Sequence, residues 1–120
     1  SIRYWTIFIW LIRWFLWIIM DLITRLYHIE LYEVYGKLLT EKQQDYFKDY
    51  YYDDLSFAEI AEKFQVSRNA VFDQIHKVIL ALTDYENKLG LLSKKKAMYQ
   101  FIEKLEGDLN TELKNILEGE

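Results

Sequence analysis

The 120-residue sequence predicts an all-α protein organised around a helix-turn-helix, and three observations carry that prediction. Pro is absent and Gly numbers four, while Leu, Ile, Glu, Lys and Tyr abound, a composition suited to long helices and brief turns. Residues 56–78 divide into two short amphipathic stretches that meet at a turn. Apolar residues on either side of them recur at helical spacing. The expected organisation is an N-terminal apolar extension (1–19), a helix-turn-helix domain (20–90) and a C-terminal helical segment (91–120). The core is expected to hold three to four helices, with a long recognition helix and C-terminal helices beyond it. A chain of this length has room for one ordinary domain.

The first block, Ser1 to Ile19, carries all four Trp (Trp5, Trp10, Trp14 and Trp17) and no acidic residue. From Tyr4 to Met20 it is apolar except for Thr6 and Arg13, just long enough for a membrane span. Its Leu, Ile and Phe side chains favour insertion by roughly 3 to 5 kcal/mol, and Arg13 near the centre opposes it by roughly 2.5 to 3.5 kcal/mol. These terms nearly cancel. Three readings compete: a signal anchor, a helix of the soluble fold, and a segment appended ahead of a natural start at Met20. The abrupt change of composition favours the last, with a membrane anchor second.

From Asp21 to about Leu39, the residues Leu22, Leu26, Ile29, Tyr32 or Glu33, Gly36 and Leu39 trace a helix whose far end Gly36 loosens. Thr40 with Gln43 is a capping box that opens the next helix, fastened to the core by Phe47, Tyr50 and Tyr51. Asp53 and Asp54 make the turn that follows. Adjacent carboxylates point apart and no further ligand is near in sequence, so turn chemistry is expected there and no metal site.

Within the motif, Phe57, Ile60, Ala61 and Phe64 fall on one helical face, and Ser56 with Glu59 forms a second capping box. Ala61 is small where the helices cross, and Val66 plugs the corner. Gln65 stands where such turns favour Gly, at a cost on the order of 1 to 2 kcal/mol. Ser67 caps the second helix, whose inward row is Val71, Ile75, Val78 and Leu82. Arg68, Asn69, Phe72, Asp73, His76 and Lys77 look outward, where a DNA reader keeps its base contacts. These six are the candidate nucleic-acid or partner contacts.

The helical period continues through Val78, Ile79, Leu82, Tyr85, Glu86 and Leu89 until Gly90 supplies a C-cap. This helix exceeds what a minimal reader needs, and its surplus apolar face calls for cover from the C-terminal helices or a second subunit. Another helix is expected from Ser93, with Ala97, Phe101, Ile102 and Leu105 inward. Gly107-Asp108 is expected to break it before Leu109, Leu113, Ile116 and Leu117, and the acidic end, Glu118 to Glu120, to fray.

The chemistry of the side chains is sparse. Cys is absent, which excludes disulfides, thiolate zinc sites and a Cys nucleophile and suits a reducing cytoplasm. His28 and His76 are the two imidazoles, neither spaced for a nucleophile and base pair, and no Gly-rich phosphate loop exists. No enzyme activity, cofactor or metal is expected. The net charge of −4 opposes polyanion binding, and Lys94, Lys95 and Lys96 form the one basic run, a secondary patch. Over residues 56–83 the acids Glu59, Glu62 and Asp73 match the bases Lys63, Arg68 and Lys77. Duplex DNA would gain little counterion-release energy there, so specific binding would need dimerisation or help from the lysine run. Tyr46, Tyr50, Tyr51 and Tyr52 crowd one helix and are expected at a core edge. Phe72 is an exposed anchor for protein or for a thymine methyl.

Leu31-Tyr32-Glu33-Val34-Tyr35-Gly36-Lys37-Leu38-Leu39-Thr40-Glu41-Lys42-Gln43, the Tyr51 to Glu62 stretch, Val66-Ser67-Arg68-Asn69-Ala70-Val71-Phe72-Asp73 and Asp84-Tyr85-Glu86 together resemble the YlxM family of small bacterial helix-turn-helix proteins. The resemblance spans about Asp21 to Leu89, whereas 1–19 does not match. A broader likeness to the last, promoter-reading region of sigma factors covers Leu39 to Leu82. The resemblance implies a cytoplasmic, non-enzymatic regulator of the signal recognition particle, acting on its RNA or GTPase components and dimerising through long helices. Gln65 departs from the family's usual Gly, which touches the tightness of the turn. The alternatives are a DNA-binding transcriptional regulator and, more weakly, a membrane-tethered adaptor.

Overall fold

A computed structural model describes residues 2–119 of the chain, and among them there are five α-helices and no strand. Helix α1 spans Ile2–Tyr35, α2 Glu41–Tyr51, α3 Phe57–Phe64, α4 Arg68–Leu89 and α5 Leu91–Glu118, with a short 3-10 turn at Gly36–Leu38 after α1. The spine is α4, which packs against α1, α2 and α3.

Each boundary has a local cause. Thr40 and Gln43 close one capping box and Ser56 and Glu59 the other, each side chain answering the other's backbone N–H. At the end of α3, Gln65 is left-handed (φ 55°), and the N–H groups of Gln65 and Val66 return to the carbonyls of Glu62 and Ala61. Gly90 does the same for α4 at φ 63°. Asp54 also takes a positive φ, 54°, in the turn after α2. Gly36 has a further reason to be Gly: a Cβ there would lie 2.8 Å from the Tyr32 ring, which is stacked on Phe47 with centroids 4.2 Å apart.

Two apolar clusters make the core. Leu31, Tyr35, Leu39, Phe47, Val78, Leu82 and Leu92 join α1, α2, α4 and the start of α5. Tyr46, Ile60, Ala61, Val71 and Ile75 join α2, α3 and α4. The expected inward row of α4 is therefore buried in full, split between the clusters. On α1 the buried face is Leu31 and Tyr35, whereas Leu22 and Leu26 are exposed, because the apolar core reaches α1 only from Ile29 onward.

The C-terminal segment departs from expectation. It is one helix, beginning at Leu91 and running through Gly107 to Glu118. A mid-helix Gly costs about 1 kcal/mol, too little to break a run otherwise rich in helix formers. The early start comes from Glu86, whose buried carboxylate accepts the N–H groups of Leu92 (3.0 Å) and Ser93 (3.4 Å) and replaces a local cap. Ala97, Phe101, Ile102 and Leu105, expected inward, are exposed, as are Leu109, Leu113, Ile116 and Leu117. Glu118 closes α5, and the fraying expected of the acidic end falls partly on Glu120, outside the described residues. From Ile2 the N-terminal block is part of α1, with no break at Ile19, and its apolar side chains up to Ile18 are exposed on every side.

Candidate docking face

The outward row of α4 lies where the motif places it. Arg68, Asn69, Phe72, Asp73, His76 and Lys77 are all exposed, and the first turn is held by Ser67, whose hydroxyl accepts the Ala70 N–H at 3.0 Å. Phe72 stands 54 % exposed at the middle of the row. Its ring lies nearly parallel to His76 (6.1 Å between centroids) and edge-on to Phe57 (5.9 Å). Phe57 in turn stacks on Tyr50 at 5.0 Å, and Tyr50 meets Tyr51 edge-on at 4.9 Å. A continuous aromatic line thus runs from α2 across α3 to the exposed face of α4. Leu80, one turn beyond His76, extends the apolar ridge. Of the four tyrosines expected at a core edge, Tyr50 and Tyr51 are half-buried there, whereas Tyr46 is buried in the core between α2, α3 and α4 and Tyr52 is exposed.

Sequence pattern alone put Phe57 in the core and left its contact with Phe72 unseen, since residues on different helices share no periodicity. Two further groups behind the face were equally invisible. The Arg25 guanidinium donates to the Tyr50 carbonyl at 2.9 Å and lies over the rings of Tyr50 and Tyr51, fastening the end of α2 to α1. His28 Nδ1 meets the Tyr51 hydroxyl at 2.8 Å. Burial pushes the Tyr51 hydroxyl up to about 12 and lowers His28 below its ordinary value.

Charge on the face is more sparing than the count of residues suggests. Lys63 is committed to Asp49, its ammonium donating to both carboxylate oxygens at 2.9 and 3.0 Å, and this hydrogen bond raises the Lys63 pKa. Arg68 and Lys77 have no ion-pair partner among the described residues and flank Phe72 with Asp73 between them. The lysine run on α5 is divided: Lys96 pairs with Glu30 of α1 at 2.6 Å, and Lys95 leans over Tyr99. The face is an aromatic ridge with a cation toward each end, and lacks the cationic stripe of a phosphate-tracking surface. Asp53 and Asp54 form the turn after α2, where Asp54 lies 3.4 Å from Arg25.

Known proteins match the same part of the chain. A family model described as "Putative helix-turn-helix protein, YlxM / p13 like" covers residues 22–118. UPF0122 proteins of Bacillus thuringiensis (strain Al Hakam), Bacillus mycoides (strain KBAB4) and Bacillus cereus (strain 03BB102) are each 43% identical to it over 95 residues, spanning 74% of this chain and 86% of theirs. The apolar block ahead of residue 22 lies outside the family match. With its two helices meeting at Gln65 and its matched segment reaching to the end of α5, the chain belongs to the UPF0122 family of YlxM-like helix-turn-helix proteins.

Proposed function

We propose that this protein is a non-enzymatic regulator of the signal recognition particle in the cytoplasm, docking on the particle's RNA or GTPase through the outward face of α4. The observation that carries the reading is the exposed Phe72, seated between Phe57 and His76 and flanked by Arg68 and Lys77. A half-exposed aromatic on a rigid helix, ringed by polar side chains, is the anatomy of an interaction anchor. The near-neutral charge around it weighs against a surface that binds by counterion release alone. The link to the particle rests on the YlxM resemblance.

A second reading is a DNA-binding regulator, favoured by one feature: Arg68 and Asn69 stand exposed on the first turn of a properly capped second helix, where readers of the major groove place their base contacts. Titrations of the protein against duplex DNA, signal recognition particle RNA and the particle's GTPase, at two salt concentrations, separate the readings. Saturable binding to the RNA or the GTPase, lost in Arg68→Ala with Phe72→Ala, is the expected result. Tight, sequence-dependent binding to duplex DNA would overturn it.

A further inference from the structure

An apolar helix that packs on nothing calls for an apolar solvent, and the N-terminal half of α1 is such a helix: none of its most apolar stretch is buried. Its side chains are not spread evenly around it. Phe8, Ile12, Phe15, Ile19, Leu22 and Leu26 recur at alternating steps of four and three, a lane of Leu, Ile and Phe alone. Apart from the half-buried Ile19 they are 42–60 % exposed. The opposite lane reads Arg3, Thr6, Trp10, Arg13 and Trp17 and goes on as Asp21, Thr24 and His28. At about 3.6 residues per turn, every charged or Thr side chain from Arg3 to Thr24, with three of the four Trp, falls within about 100° of the helix. The rest of the circumference holds only apolar and aromatic side chains.

The fold assigns sides to the two lanes. Arg13 lies in a groove lined by Trp10, Trp14 and Trp17. Farther along the same lane His28 meets Tyr51, and Leu31 and Tyr35 enter the core, so the helix-turn-helix domain stands on the Arg and Trp side of α1. The Phe8 to Leu26 lane faces away from it. On that side the first cover is Lys96 of α5, which pairs with Glu30 and lies over Tyr27.

Lipid is the occupant that fits this pattern. A partner helix covers a narrow seam, whereas apolar side chains here take up well over half of the circumference. Trp and Arg, gathered on the other side, settle at headgroup level, where the indole N–H and the guanidinium stay hydrated. A helix crossing the bilayer would hold Arg13 near the centre of the hydrocarbon, and one lying along the surface leaves it among the headgroup phosphates.

We infer that residues 2–26 of α1 lie in the plane of a bilayer surface, the Phe8 to Leu26 lane in the acyl chains and the Arg13 lane at the headgroups, with the helix-turn-helix domain held on the water side. The inference is independent of what α4 binds.

All four Trp lie in this block, so their fluorescence reports it alone. The full chain, dialysed out of detergent with vesicles of phosphatidylcholine and phosphatidylglycerol, is expected to float with them in a density gradient. Two single-Trp variants then give depth: both carry Trp14→Phe and Trp17→Phe, one adding Trp10→Phe to keep Trp5 and the other Trp5→Phe to keep Trp10. Trp5 lies beside the aliphatic lane and Trp10 in the polar one. Nitroxide lipids labelled deep in the acyl chain are therefore expected to quench Trp5 more than Trp10, and lipids labelled near the headgroup to quench Trp10 more. A helix crossing the bilayer reverses that order, because Trp10 is then the more central, and this result would overturn the inference. Ile12→Glu with Phe15→Glu is expected to weaken vesicle binding by about tenfold or more while helicity and the melting of the domain persist. Protein left at the bottom of the gradient, or flotation that survives the double substitution, would overturn the inference as well.

Discussion

Glu86 and Leu92 face each other across the elbow between α4 and α5, and the carboxylate of the first accepts the backbone N–H of the second at 3.0 Å. The Tyr35 hydroxyl joins them, donating to the same carboxylate oxygen at 3.3 Å and accepting the Leu91 N–H at 3.0 Å. A residue of α4 and one of α1 therefore cap α5 and set its direction. Glu86→Ala is expected to destabilise the fold by about 1–3 kcal/mol, the cost of orphaned buried donors, with Glu86→Gln milder because it keeps an acceptor. Urea denaturation measures the loss. Hydrogen exchange at Leu92 and Ser93 should accelerate ahead of the rest of the core.

Gln65 holds φ 55° at the corner of the motif without the freedom of Gly. Gln65→Gly relieves a left-handed strain of about 1–2 kcal/mol and adds roughly 0.5–1 kcal/mol of unfolded-state entropy, so a net gain of up to about 1.5 kcal/mol is expected. The denaturation midpoint should rise with an unchanged slope. A fall would mean that the Gln65 side chain contributes to the corner.

The Gly36 position tests the opposite effect. Gly36→Ala drives a methyl group against a Tyr32 ring already pinned on Phe47, and overpacking of this kind costs typically about 1–3 kcal/mol. Thermal melting should show the loss, and a Tyr32→Ala background should remove most of it.

His28 carries a pH dependence. Burial lowers its folded pKa below the ordinary 6.5, so the unfolded chain binds the proton more readily. Its contribution is therefore neutral above 6.5 and turns destabilising as the pH falls from there toward the folded value. Melting temperature should decline over that interval in the native chain and decline less in His28→Gln. An identical slope in the two would place the titrating group elsewhere.

Phe72 separates docking from stability. Its exposed ring contributes little to the core, so Phe72→Ala should leave unfolding free energy within about 0.5 kcal/mol while weakening the partner's affinity by about tenfold or more. Circular dichroism and a binding titration on one preparation give both numbers.

Legibility in the sequence followed the range of the interactions. Ser56 with Glu59, Thr40 with Gln43, Ser67 and Gly90 act within a few residues of themselves, so their letters disclosed the helix ends. The inward row Val71, Ile75, Val78 and Leu82 and the outward row from Arg68 to Lys77 followed from one helix's period. The tertiary structure alone decided the rest. Glu86 capping α5, Lys63 tied to Asp49, and Phe57 touching Phe72 depend on which helices meet, and a periodicity within one helix carries no information about its neighbour. Gly107 shows the same rule reversed: read locally it marked a break, yet its cost of about 1 kcal/mol is smaller than the cooperative gain of a helix already nucleated at Leu91. The sequence by itself thus determined an all-α helix-turn-helix with a polar face on its second helix. Tertiary packing decided which of that face's charges stay free and which apolar side chains stay uncovered, because both are properties of surfaces that several helices build together.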